Sequence, residues 1–260
     1  MAGTEEVGRR YDTVADRYED IFFYVAEAGR CLVDYADPAP GIRMLDVGAG
    51  RGAVVRAGLA RGCRVTAVDA SSRMVERLGE EFPDIVVRHL DAGRLDFADD
   101  SFELVTAGFV VEVLDDPAGA IAEFRRVLAP GGVLALSLER PTVGGLGWLR
   151  NLHAEFFPPA RASTVDSMPL SADRLDDLLA DAGLVTLTRK PVSFTKPLPD
   201  PQALWHWLSI QGLAEAVATL PEERAEEFRT RFFAAARHTQ ADGGIVPEFV
   251  ATLHRARVPE

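Results

Sequence analysis

The chain has 260 residues, 47% of them hydrophobic, enough to bury a full core in one domain with room for a smaller appendage. Its 40 acidic residues against 28 basic ones give a formal net charge of −12, which repels a phosphate backbone and excludes nucleic acid as an expected partner. Two cysteines, Cys31 and Cys63, cannot make a disulfide framework, MAGTEEVGRR lacks the apolar stretch of a signal peptide, and no apolar run approaches a membrane span, so a cytoplasmic protein that binds no membrane is expected.

Residues 1–40 read as one or two helices carrying Ile21, Phe22, Val25 and Leu32, ending at Pro38 and Pro40. From about residue 41 strands and helices alternate. IRMLDV (42–47), CRVTAVDA (63–70), DIVVRHL (84–90), FELVTAGF (102–109) and GVLALSLE (132–139) are apolar runs of the kind parallel strands show when both faces are covered. Between them, Ala53–Ala60 follows a glycine turn, and Ser71 or Ser72 caps a helix burying Met74, Val75 and Leu78. Asp116-Pro117 opens another helix, with Ile121, Phe124, Val127 and Leu128 on one face and a stop at Pro130-Gly131-Gly132. Ser171 caps a further helix (Leu175, Leu178, Leu179) that ends at Gly183.

LVTLTRKPVSF (184–194) and VPEFVATLHRA (246–256) are the last strands, and two helices rich in Trp and Phe lie between them. The rhythm predicts an α/β fold: a doubly wound, mostly parallel seven-stranded sheet. Residues 1–40 would form a helical lid. The binding domain would comprise 41–195 and 246–260, with 196–245 a helical insertion covering the acceptor pocket.

Ligands of such sheets bind at the carboxyl ends of the strands, where strand order reverses, so the turn after Val47 is the default site. That turn reads MLDVGAGRG (44–52). Bare glycine N–H groups suit an anion, yet Asp46 stands beside them and would cost a pyrophosphate roughly a few kcal/mol at an effective dielectric near 20. Asp69, about twenty residues on at the end of the second strand, suits ribose hydroxyls. A nucleoside carrying positive charge, S-adenosylmethionine, satisfies both acids. The glycines would let its methionine portion lie against the backbone.

MLDVGAGRG, VDAS (68–71) and LAPGGVL (128–134), with YDTVADRY ahead of them, resemble the class I S-adenosylmethionine-dependent methyltransferases. The nearest likeness is to the small-molecule branch that includes ubiquinone, menaquinone and natural-product enzymes. The resemblance covers residues 8–140 clearly and implies a Rossmann-like methyltransferase fold. It assigns the methionine portion to Asp46, Gly48, Ala49 and Gly50, and the ribose to Asp69. Ala70 and Met74 would lie against adenine, Asp91 would accept from its amino group, and Ala92 would offer a backbone amide. Tyr11 and Tyr18 would close over the cofactor, and Gly108 and Phe109 would border the sulfonium. Two positions depart from the pattern: Leu90 replaces a glycine, and Glu112-Val113 stand where relatives carry histidines.

Methyl transfer needs alignment and exclusion of water more than a fixed catalytic motif. His153, in WLRNLHAEFF, and Glu139, at the end of the fifth strand, are the candidate bases. His254 is assigned to a late surface segment. No Cys/His cluster has metal-ligand spacing. The aromatic residues of 148–157 and 194–233 point to an apolar, ring-containing small-molecule acceptor. The competing readings are a protein of the same fold that binds the cofactor but cyclises or rearranges its substrate, and a dinucleotide-dependent oxidoreductase.

Overall fold

The computed structural model describes residues 8–9, 11–13, 15–140, 146–157 and 170–260. The first seven residues of the expected lid, and 141–145 and 158–169 of the expected binding domain, lie outside the described residues.

Seven strands form one sheet: β1 (Arg43–Val47), β2 (Arg64–Asp69), β3 (Val86–His89), β4 (Phe102–Gly108), β5 (Leu128–Arg140), β6 (Val185–Thr195) and β7 (Glu248–Arg257). Their order is β3-β2-β1-β4-β5-β7-β6. Strands β1 to β5 pair in parallel, and β7 runs antiparallel to both β5 and β6. The order therefore reverses between β1 and β4, and a crevice opens above their carboxyl ends.

Successive residues of the central strands face opposite sides, and both sides are apolar. Leu45, Val105 and Leu134 pack beneath helices α4 (Pro117–Val127) and α6 (Ala172–Asp181). Met44, Leu104 and Ala135 pack beneath α1 (Val25–Ala36) and α2 (Ala53–Ala60). This double burial is why the strands read as continuous apolar runs rather than alternating ones. Helix α1 approaches α2 so closely that a Cβ on Gly29 would lie 2.8 Å from the Ala53 carbonyl carbon.

Side-chain caps fix the helix starts: Asp116 accepts the Gly119 N–H (2.9 Å) for α4, and Ser71 accepts the Met74 N–H (3.1 Å) for α3 (Ser72–Glu81). The far end of α4 differs from expectation. Leu128 is not on its face but turns extended and pairs with Phe102, so β5 begins before the Pro130-Gly131 turn, which sits at a register shift in the ladder.

A second core belongs to the helices above the sheet. Helices α5 (Gly147–Phe156), α7 (Pro201–Ile210), α8 (Leu213–Ala218) and α9 (Glu222–Ala241) share Leu152, Phe156, Leu204, Val217, Phe228 and Phe232. Three helices, not two, fill 196–245. Gly212, at φ 100°, ends the first run, and Pro221 starts the last. Helix α5, assigned by sequence to the binding domain, packs into this core because its Leu152 and Phe156 face α9. His254 is not superficial: β7 lies inside the sheet, and the ring is 1% exposed with Nδ1 3.4 Å from Asp176 Oδ1. The outer strand β6 is mostly exposed and carries Arg189, Lys190 and Pro191, residues that discourage further strand pairing.

Candidate functional site: a nucleoside cleft over β1, β2 and β4

The turn after β1 is tied to the neighbouring strand. Gly48 and Ala49 both donate to the Val68 carbonyl, at 2.9 and 3.0 Å. Gly48 adopts φ 67°, and a Cβ there would come within 2.4 Å of a Val110 methyl, so only glycine fits without displacing β4's exit. Gly50 donates to Asp69 Oδ2 (2.8 Å) while the Ser71 N–H holds Oδ1 (2.8 Å). The acid ending β2 is thus clamped by two backbone amides where it lines the cleft. Burial raises its pKa, and those amides oppose the rise.

Asp46 is 1% exposed. The parallel register sets it beside Thr106 of β4, whose hydroxyl donates to Oδ1 at 2.9 Å. Oδ2 is buried with no partner. Burial pushes this carboxyl up to about 8; the Thr106 hydrogen bond pulls against the rise, and the Asp69 charge adds to it. A buried acceptor left unpaired costs about 1–3 kcal/mol. A cation bearing N–H donors would remove that cost and ionise the acid, whereas a phosphate would aggravate it.

Two adjoining hollows share this turn. The larger, about 640 Å³, is lined by Tyr11, Tyr18, Gly48, Gly50, Asp69, Ala70, Met74, Ala92, Gly108 and Phe109. The smaller, about 420 Å³, is where Asp46 and Ala49 open. Asp91 stays outside both: it is exposed, and its Oδ1 accepts the Gly93 N–H (2.8 Å) in a tight turn. Its neighbours Leu90 and Ala92 line the cleft instead. Val113, noted from the sequence only as a departure from the pattern, lines the wall too, as do Val110 and Leu114, which the sequence did not single out. Thr106 and Ser137 were missed as well. Neither carries a sequence signal, since only strand register brings them to the site.

The N-terminal segment lies across the larger hollow. Asp12 anchors it, accepting the Ser71 hydroxyl (2.5 Å) and the Arg73 N–H (3.2 Å) at the start of α3. Tyr11 and Tyr18 stand 6.3 Å apart, and Phe22 and Tyr24 extend the aromatic row toward β5. Tyr24 stacks on Phe249 and meets Phe109 edge-on at 5.6 Å. Phe109 holds φ 59°, a strained conformation for an aromatic residue, kept by its N–H donating to Ser137 Oγ (3.1 Å).

The two candidate bases are not brought together. His153 is exposed on α5, its ring 4.8 Å from Phe157, and lines a separate groove with Leu146, Leu208 and Leu213. The reason is that α5 turns its Leu152–Phe156 side into the cover, which leaves His153 facing outward. Glu139 does lie at the cleft end of the sheet, where its N–H donates to Glu112 Oε2 at 2.9 Å.

A doubly wound parallel sheet with an antiparallel penultimate strand, a glycine turn flanked by two acids and an aromatic cover defines a nucleoside-binding α/β protein of the methyltransferase type. A family model described as a methyltransferase domain matches residues 45–136. A demethylmenaquinone methyltransferase of Renibacterium salmoninarum is 35% identical over 175 residues, covering 64% of this chain and 72% of the relative. A malonyl-[acyl-carrier protein] O-methyltransferase of Halorhodospira halophila is 31% identical, covering 81% and 72%. In fold, the chain is similar to the [4+2]-cyclase SpnF, with a TM-score of 0.66 and 18% identity over 99% of this chain and 97% of that one. The chain belongs to the class I S-adenosylmethionine-dependent methyltransferases of the small-molecule branch, with S-adenosylmethionine as its cofactor.

Proposed function

We propose that Asp46 receives the ammonium group of S-adenosylmethionine, with the Gly48–Gly50 backbone alongside its methionine portion. The unpartnered buried Oδ2 of Asp46 carries this reading. Asp69 takes the ribose hydroxyls on lone pairs left free by its two amide donors, and Ala70, Met74 and Leu90 make the apolar bed for the base. Gly108 and Phe109 border the sulfonium, while Tyr11 and Tyr18 close over it and keep water out. The cofactor supplies a methyl group on a sulfonium, a ready leaving group. The protein's share is alignment, desolvation and, for a hydroxyl acceptor, removal of a proton.

The two relatives are named for different acceptors, a quinone and an acyl carrier, so the acceptor is read from this chain's own walls. Phe109, which lines both hollows and is backed by Tyr24 and Phe249, favours a small apolar molecule containing a ring. Unpaired Cys31 and Cys63 suit the cytoplasm. Calorimetry tests the cofactor assignment. The wild type should bind S-adenosylmethionine and not a nicotinamide dinucleotide, and Asp46→Asn and Asp69→Ala should each weaken binding at least tenfold. Unchanged affinity in either variant rejects its role. Labelled cofactor settles the chemistry, since product formed without label would mean rearrangement rather than methylation.

A further inference from the structure

We propose that Glu112, rather than His153 or Glu139, is the general base for acceptor deprotonation, and that the acceptor therefore presents an acidic hydroxyl or enol. The inference rests on the cofactor reading above. With the ribose side of the cleft at β2 and the ammonium side at β1, the remaining wall is made by residues that follow β4, Val110, Val113 and Leu114. Glu112 stands there, on the turn Val111–Val113 that leaves β4 between the cleft-lining Val110 and Val113.

Its carboxylate is half-buried and held in place. Oε2 accepts the Glu139 N–H at the end of β5 (2.9 Å), which leaves Oε1 to take a proton. The ionisable groups facing it are the Glu139 carboxyl from β5 and the phenol of Tyr24, the residue before α1, whose own ionisation both carboxylates oppose. Tyr24 in turn touches Phe109, one of the residues shared by both hollows. The fixed carboxylate thus sits on the turn that walls the cofactor cleft, next to the aromatic contact that Tyr24 makes with Phe109.

Burial, opposed by the Glu139 N–H and reinforced by the Glu139 charge, moves the Glu112 carboxyl up to about 7, near the operating pH where a general base is most effective. In the step, the acceptor's O–H proton passes to Glu112 as its oxygen bonds to the methyl carbon. The methyl–sulfur bond breaks with its electron pair going to sulfur, and the proton later leaves Glu112 for solvent.

The test uses the full chain with S-adenosylmethionine and three probes: 1-naphthol, benzoylacetone and, as an amine control, 1-naphthylamine. Release of S-adenosylhomocysteine should be seen with the hydroxyl and enol probes, rising with pH through about 7. Glu112→Gln should lower turnover about 100-fold or more with cofactor affinity unchanged, since general bases contribute roughly 10²–10⁴-fold. Glu112→Asp should recover part of it, and Glu139→Gln should move the pH limb downward. Independently of turnover, carboxyl NMR of ¹³C-glutamate protein should show one signal titrating near 7 that is missing in Glu112→Gln. Turnover of Glu112→Gln within threefold of wild type, absence of that signal, or a cofactor-binding wild type that methylates only the amine or no probe at all would overturn the proposal. A wild type that binds no S-adenosylmethionine would instead defeat the cofactor reading beneath it.

Discussion

Asp46 concentrates the chemistry of the cleft in one side chain. Its Oδ2 lies unpaired in the apolar base of the sheet, and burial holds the acid mostly protonated at neutral pH. Meeting an ammonium group would ionise it. Cofactor binding at pH 7 should therefore release close to one proton, with the release falling through about pH 8 and nearly gone by about pH 9. Calorimetry in two buffers of different ionisation heat measures this directly, and Asp46→Asn should abolish it. No proton release in the wild type would mean the acid is already charged in the free protein. The sequence exposed Asp46 through its place before the glycine turn. It gave no sign of Thr106, whose hydroxyl reaches Asp46 only because β1 and β4 pair in that register.

At the level of elements, the glycine turn and the helix caps are local devices, and local sequence announced them. The cover is different. Its core joins α5 to α7, α8 and α9 across a long stretch of chain, separate from the clusters that flank the sheet. Phe232 is fully buried there, against Trp148 and Trp205. Phe232→Ala should cost about 3–5 kcal/mol locally. Hydrogen exchange should quicken in α5, α7 and α9, with cofactor affinity within threefold of wild type. Equal loosening of α4 and the sheet would show that cover and sheet unfold as one unit. The same packing explains why His153 was a misleading candidate: an aromatic-rich helix reads alike whether its histidine faces a pocket or solvent, and neighbours decide which.

For the molecule as a whole, several acids are held above their ordinary range. Asp46 sits near 8 and Glu112 near 7, with Asp69 and Glu139 also raised, all chiefly by burial. Between about pH 4 and 8 the folded protein therefore binds more protons than the unfolded chain, and its stability falls as pH rises. His254, lowered by burial, works the other way below about 6.5. Two acids outweigh the one histidine, so the loss should run from about pH 5 to 8 and weaken above about 7, once Glu112 has ionised. Urea midpoints of the free protein measured across that window should decline, and saturating S-adenosylmethionine should flatten the decline by stabilising ionised Asp46. A midpoint that rises through the window would show these acids to be charged in the free protein.

The sequence by itself determined the alternation of strands and helices, the glycine turn with Asp46 and Asp69 beside it, and the cofactor. Each of these is written in neighbouring residues, where apolar period, caps and backbone freedom act over a few positions. Only the tertiary structure decided that Asp91 turns away while Leu90 lines the cleft, that α5 belongs to the cover, and that His254 is buried in β7. It alone set Glu112 against the end of β5. Those outcomes depend on strand order and on which helix face meets which neighbour, contacts between residues far apart in the chain that no local pattern encodes.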